Sequence, residues 1–182
     1  MKIISGIYKG RNIEGYDING TRPTMERVKE SLFATIQNYI QESIVLDLFS
    51  GSGNLAIEAL SEGAKEAYAV DVNQIAYKTI LKNIEKIGVK NCKAIKADYK
   101  EALTLLSKNN IKFDLIFLDP PYNTNYIEKS IEYIEKLESL NINGIIVCEN
   151  NQLDRIIYPS TYEAIKEKKY GDKWVVILKK IC

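Results

Sequence analysis

The sequence predicts an α/β fold, a mostly parallel sheet with helices on both faces and an antiparallel strand near its C-terminal end. Three observations carry this. From Ser43 onward, short apolar runs alternate with helical-period segments, the signature of βα units. The runs over residues 44–49 and 113–118 are apolar almost throughout, as strands buried on both faces are. The chain closes on two strand-like segments, 162–169 and 173–180, joined at Gly171-Asp172, although the first also fits a helix.

The elements follow in order. Residues 3–13 alternate loosely between Gly6, Gly10 and Gly15 and read as a hairpin-like piece, followed by a turn at Asn19-Gly20. Pro23-Thr24 opens a helix over 25–40, with Val28, Leu32, Phe33, Ile36 and Ile40 as its apolar stripe. This N-terminal extension, 1–41, is set apart from a main domain, 42–182. A strand over 44–49 leads to a helix over 54–61 that ends at Gly63. A strand over 67–70 ends at Asp71. Asn73 then caps a helix to residue 87, and Gly88 closes it. A strand over 92–96, a helix over 99–107 and a strand over 113–118 come next. Asp119-Pro120-Pro121 stops that strand, and a helix over 126–137 and a strand over 144–148 complete the alternation.

Composition narrows function by exclusion. The chain is 46% hydrophobic and 27% charged, which fits a globular protein and not a disordered one. No apolar run approaches the roughly 18–20 residues of a membrane helix. Met1-Lys2-Ile3-Ile4-Ser5-Gly6 has no leader-like apolar stretch, so a cytoplasmic protein without membrane contact is expected. Cys92, Cys148 and Cys182 are far apart and form no CxxC pair, which points to reduced thiols and neither a disulfide framework nor a zinc site. The chain has no histidine. That excludes Ser-His-Asp and Cys-His nucleophiles, His general bases and His-containing metal sites, and no metal is expected. Net charge is +1, so any nucleic-acid contact must use locally gathered basic residues.

In open α/β sheets ligands bind beyond the carboxyl ends of the strands, so the loops there carry the functional signal. The first is Asp47-Leu48-Phe49-Ser50-Gly51-Ser52-Gly53-Asn54-Leu55-Ala56. Gly51 and Gly53 allow a sharp turn and close approach to a ligand, and the next helix offers free N–H groups. Gly51-x-Gly53-x-x-Ala56 alone also satisfies a dinucleotide fingerprint, or a plain strand-to-helix turn. Asp47 shifts the balance. A carboxylate just before the glycines is badly placed for a pyrophosphate and suits a ligand with a cationic end. S-adenosylmethionine has an ammonium, a sulfonium and no phosphate. In this reading Asp47 accepts from the ammonium, directly or through water, and Asp71 holds the ribose. Asp98 accepts from the adenine amine, caps the following helix, or does both.

Asp119-Pro120-Pro121-Tyr122 is the most specific motif in the chain. Two prolines fix φ and remove two N–H donors. The Pro120 carbonyl and Asp119 then supply two acceptors, Tyr122 a stacking face, and Pro121 a wall. This set fits an aromatic amine, whose lone pair is delocalised into its ring. Accepting both of its N–H bonds aims the lone pair at a methyl donor and offsets the charge that develops on nitrogen.

Together with Gly6-Ile7-Tyr8-Lys9-Gly10-Arg11, Thr21-Arg22-Pro23-Thr24-x-x-Arg27-Val28-Lys29-Glu30-Ser31-Leu32-Phe33, Glu58-Ala59-Leu60-Ser61-x-Gly63-Ala64 and Lys169-Tyr170-Gly171-Asp172, these motifs span nearly the whole chain. The chain resembles the RsmD family of 16S rRNA guanine-N2 methyltransferases, within the class I methyltransferases. The Arg22-Pro23-Thr24 block narrows the resemblance to this family. The resemblance implies a seven-stranded class I methyltransferase (Rossmann-like) fold and S-adenosyl-L-methionine as donor. It further implies a guanine of 16S rRNA as acceptor, presented in the small ribosomal subunit or its assembly intermediate. It also places Lys169-Tyr170-Gly171-Asp172 beside the substrate pocket. A monomer is expected.

Three alternatives stand beside this one. A DNA adenine-N6 methyltransferase would use a similar Pro-Pro-aromatic site, but the chain has no separate target-recognition region. A nucleotide-cofactor oxidoreductase would leave residues 119–122 unexplained. A non-catalytic RNA-binding module would not need Asp47, Asp71 and Asp119. The extension carries Lys2, Lys9, Arg11, Arg22, Arg27 and Lys29 against Glu14, Asp17, Glu26 and Glu30, and holds three of the four arginines. Arginine pairs well with phosphate, so Arg22, Thr24 and Arg27 are the candidate RNA contacts, with Tyr8 and Tyr16 as stacking rings.

Overall fold

The structure is a computed structural model. It describes residues 1–15, 22–121, 124–150, 156–170 and 173–182, and the backbone alone for 22–25. The elements are α1 (Arg22–Ile36), β1 (Ile44–Asp47), α2 (Asn54–Ser61), β2 (Glu66–Asp71), α3 (Gln74–Ile87) and β3 (Cys92–Lys96). They continue as α4 (Tyr99–Lys108), β4 (Phe113–Leu118), α5 (Tyr126–Lys136), β5 (Leu140–Asn150), β6 (Tyr162–Tyr170) and β7 (Lys173–Lys180). The strands form one sheet in the order β3-β2-β1-β4-β5-β7-β6. β1 to β5 pair in parallel, and β7 alone runs against its neighbours. This is the predicted class I methyltransferase architecture, with its reversed C-terminal strand.

Local chemistry sets several boundaries. The Asn73 side chain accepts from the N–H groups of Ile75 and Ala76, and Gly88, at φ 74°, closes α3. Both satisfy groups that a helix end leaves open. α1 starts at Arg22, three residues earlier than expected, because Pro23 sits in a first turn whose N–H groups have no helical acceptor. It gives way after Ile36 to a 3₁₀ turn over Gln37–Tyr39. β5 is longer than the expected 144–148. Leu140 pairs with Phe113, an irregularity follows, and Ile145 pairs with Leu115. Asn143 takes a positive φ of 66°, and the strand continues through it. β6 is a strand and not a helix. Its exposed charges Lys166, Glu167, Lys168 and Lys169 protect the open edge from further pairing.

Alternation along the central strands divides the core into two layers. Val45, Leu115, Phe117, Val147, Val175 and Ile177 face Leu32, Phe33 and Ile36 of α1, with Ile57 and Ile80 from α2 and α3. Leu46, Ile116, Leu118, Ile146 and Cys148 face Leu103 and Leu106 of α4 and Ile131 and Ile134 of α5. Phe33 stacks on Phe117 at 5.8 Å between centroids, which anchors α1 two residues before the Asp-Pro-Pro motif.

The N-terminal piece meets the expectation of a hairpin in reduced form, as a single antiparallel bridge between Lys2 and Asn12. Its attachment is polar. The Glu58 carboxylate of α2 accepts from the N–H of Ile4 (2.9 Å) and Ser5 (3.0 Å). Ile7 N–H donates to the Ser61 carbonyl at 2.9 Å. Lys29 of α1 is buried and pairs with Glu58 at 2.6 Å while donating to the Lys2 carbonyl and to Asn54 Oδ1. Of the basic residues in the charge balance of the extension, Lys29 is therefore not available to RNA. It is an internal cation, 3% exposed, because Glu58 would otherwise be a buried unpaired charge.

Gly6 sits at φ 78°, and a Cβ there would lie 1.7 Å from the Ser61 carbonyl oxygen. Gly6→Ala is therefore expected to lower stability by about 2 kcal/mol or more, since both strain and a backbone clash oppose docking. Urea denaturation measures this. A loss below about 0.5 kcal/mol would contradict the tight docking of this turn on α2.

Candidate active site

The candidate residues gather because register carries them to one edge. Asp47 ends β1 and pairs with Ala69 of β2 and Phe117 of β4. Asp71 lies two residues beyond Ala69, and Asp119 two beyond Phe117. Strand alternation puts all three on the sheet face covered by α1 and α2. Phe117 pairs with Val147, so Glu149 continues the row on β5. Glu149 pairs with Val175, and Lys173, two residues earlier on β7, ends it. The row thus reads Asp71, Asp47, Asp119, Glu149, Lys173 across five strands. The loops after β1 and β4 leave neighbouring parallel strands at the same edge, as a direct transfer between them requires.

Asp47 lies between Asp71 and Asp119 in this row, and it is buried. Its Oδ2 accepts from Ser50 Oγ at 2.7 Å and from the Ala56 N–H at 3.3 Å. Its Oδ1 is buried and has no hydrogen-bond partner among the described residues. The Gly53 position that opens α2 provides no side-chain cap, so the β1 carboxylate satisfies a first-turn N–H of α2 instead. Burial pushes the Asp47 carboxyl up to about 7, and nearby Asp119 and Asp71 add to the rise, while Ser50 and Ala56 oppose it.

The glycine loop is braced from β2. Gly51 N–H donates to Asp71 Oδ2 at 2.9 Å, and Asn73 N–H donates to Asp71 Oδ1 at 2.8 Å. Each of those oxygens keeps a lone pair for a further donor such as a hydroxyl. Gly53 at φ 81° turns the chain into α2. Asp98 caps α4 through Oδ1, accepting from Lys100 and Glu101, and Glu101 bonds back to the Asp98 N–H. That capping box leaves Oδ2 for another donor.

On the reaction side, burial raises the Asp119 carboxyl above the usual range, and the Lys173 ammonium opposes it. Pro120 is buried and Pro121 exposed, with Thr124 Oγ1 donating to the Pro121 carbonyl at 2.8 Å. Tyr122 lies outside the described residues, as do Tyr16 and the side chains of Arg22 and Thr24. Arg27 is exposed on α1. Arg11 is engaged within the molecule. Its guanidinium donates to the Ile87 carbonyl and lies over the Tyr8 ring at 5.3 Å.

Sequence reasoning missed two features. Phe49, Tyr99 and Tyr126 form an aromatic triangle with centroids 5.6–6.1 Å apart, from the loop after β1 and the first residues of α4 and α5. Tyr99 and Tyr126 open their helices, 27 residues apart in sequence, and only the packing of α4 beside α5 brings both rings onto Phe49. The second is the Glu149–Lys173 ion pair. Both its members lie inside predicted or extended strands, and only the sheet register brings them beside Asp119.

The donor set fits S-adenosylmethionine. A buried carboxylate oxygen lacks a partner, acids flank it, and the loop beside it is held open by glycines. The family model described as conserved hypothetical protein 95 matches residues 1–179. The chain belongs to the RsmD family. A member from Buchnera aphidicola, named ribosomal RNA small subunit methyltransferase D, is 35% identical over 167 residues, covering 91% of this chain and 86% of that protein. A putative rRNA methyltransferase of Bacillus subtilis is 35% identical over 184 residues and 99% of each chain. The solved structure of a putative methyltransferase from Escherichia coli superposes with a TM-score of 0.87 at 25% identity, covering 100% of this chain and 98% of that one.

An ammonium bound at Asp47 competes with a proton there. Affinity for S-adenosylmethionine is expected to fall as pH drops through about 7, the value to which Asp47 is raised. The limit is about tenfold per pH unit on the acid side. Calorimetry between pH 5.5 and 8.5 checks this, and Asp47→Asn should weaken binding and flatten the profile. A wild-type affinity unchanged across that range would contradict the assignment.

Proposed function

We propose that this protein transfers the methyl group of S-adenosylmethionine to the N2 amine of a guanine in 16S rRNA. The observation that carries the reading is the partnerless Asp47 oxygen on the same sheet edge as Asp119 and Pro120. The names of its RsmD relatives favour ribosomal RNA over DNA and over a redox reaction.

Bound S-adenosylmethionine supplies an electrophilic methyl on a sulfonium. Asp47 takes its ammonium, Asp71 its ribose hydroxyls and Asp98 its adenine amine, with Gly51 and Gly53 letting the backbone close around it. Asp119 and the Pro120 carbonyl accept the two N–H bonds of the guanine amine, which directs the nitrogen lone pair outward. The same acceptors offset positive charge that develops on that nitrogen. Lys173 favours the ionised Asp119 that accepting requires. Burial in turn raises the proton affinity of Asp119, so its carboxylate can take the proton that the alkylated amine must lose. Tyr122 stacks on the extruded base and Pro121 lines its approach.

Arg22, Thr24 and Arg27 of α1 contact the RNA backbone, a role that the exposure of Arg27 supports. The substrate is the small subunit or its assembly intermediate, since a net charge of +1 gives little grip on naked RNA. The protein acts as a cytoplasmic monomer, with residues 1–41 as an RNA-contacting extension of the 42–182 catalytic domain. Among the described residues no helix is long and apolar enough to cross a membrane.

Mass spectrometry of rRNA from cells lacking the gene tests the reading: one guanine should lose an N2 methyl, and the purified protein should restore it. Asp119→Ala is expected to lower kcat by about 100-fold to 1,000-fold while S-adenosylmethionine affinity changes little. Asp71→Ala should do the reverse, raising Kd and KM for S-adenosylmethionine. Retained turnover in Asp119→Ala at saturation would remove Asp119 from its role.

A further inference from the structure

The Glu149–Lys173 pair lies beside the reaction site, and the methyl-transfer mechanism uses only the charge of Lys173 on Asp119. Glu149 stands next to Asp119 in the row, because Leu118 pairs with Cys148 and both chains continue one residue in parallel. On β7 the residue across from Glu149 is Val175, and Lys173, two residues from it on the same face, reaches Glu149 with its ammonium. Their side chains are 11% and 26% exposed, so the carboxylate is the inner member and the ammonium the outer one. A carboxylate this buried needs a compensating donor, and Lys173 Nζ donates to Glu149 Oε1. That contact uses one carboxylate oxygen and one of three ammonium hydrogens, so each group can serve a further neighbour.

We propose that Glu149 and Lys173 read the remaining Watson–Crick edge of the target guanine. Glu149 accepts from N1–H, and Lys173 donates to O6. The inference rests on the guanine-N2 reading above and adds the selection of the base to it. Its support is the order of groups. The guanine edge runs N2 amine, N1–H, O6, which is donor, donor, acceptor. Across β4, β5 and β7 the protein presents Asp119, Glu149, Lys173, which is acceptor, acceptor, donor. Adenine presents no such edge, since its N1 is an acceptor and would face the Glu149 carboxylate. A site built from buried polar groups rejects an analogue that leaves them unpaired, often by several orders of magnitude.

The test uses 2-aminopurine, which keeps the 2-amino group but lacks both N1–H and O6. Small ribosomal subunits are reconstituted with guanine or 2-aminopurine at the modified position, and methyl transfer from labelled S-adenosylmethionine is followed for wild type, Glu149→Leu, Glu149→Gln and Lys173→Met. Wild type is expected to favour guanine by about 100-fold or more in kcat/KM. Glu149→Leu should lose most of that preference, its rate falling far more on guanine than on 2-aminopurine. Glu149→Gln, which keeps a neutral acceptor, should recover part of the preference. Lys173→Met should lower the preference as well. Calorimetric S-adenosylmethionine binding reports whether each variant is folded. Equal loss on both bases in folded Glu149→Leu and Lys173→Met, or a wild type indifferent to the two bases, overturns the inference and leaves the methyltransferase reading intact. Transfer by wild type to no guanine N2 overturns both.

Discussion

A carboxylate buried at the end of a central strand stays charged only if its surroundings supply what water no longer does. Asp47 receives half of that supply from the protein, through Ser50 and the first turn of α2. The other oxygen is left without a donor. Removing Asp47 from water while leaving it short of a hydrogen bond is costly for the empty protein and favourable once a cation arrives. The glycine turn, the brace from Asp71 and the placement of α2 all follow from building around this one group.

The same sheet edge then carries a graded set of charges. Asp71, Asp47, Asp119 and Glu149 stand in sequence on neighbouring strands, and Lys173 ends the row. Acids that close repel one another, which is part of why Asp47 holds its proton so far above the usual carboxylate range. In the proposed reading, a cationic donor at one end and an amine-bearing base at the other would relieve that repulsion from opposite directions. In the proposed reaction, the opposing pulls on Asp119, burial against Lys173, would suit it both to accept a hydrogen bond and later to take a proton.

The N-terminal segment shows how far this edge depends on distant contacts. Glu58 has its acid on α2, its counter-ion on α1 and its backbone donors at Ile4 and Ser5. One buried pair therefore ties the first residues, α1 and the helix of the glycine loop into a single body. Lys29 also donates to Asn54, the first residue of α2, so the start of that helix is held from outside as well as from Asp47.

By itself the sequence determined the elements and most of the chemistry. Alternating periods, the Asn73 and Gly88 boundaries, the glycine turn and the Asp-Pro-Pro-Tyr motif are local signals, set by backbone sterics and hydrogen bonding within a few residues. The place of Asp47, Asp71 and Asp119 at the carboxyl edge of the sheet was legible because two of them end strands and the third directly follows one. Tertiary structure alone decided which charges are internal and which face outward. Lys29 and Arg27 look alike in a basic segment, yet one is buried against Glu58 and the other is exposed. It also decided that Glu149 and Lys173, 24 residues apart, stand beside Asp119. Strand register makes those neighbours, and register is a property of the whole sheet that no short stretch of chain encodes.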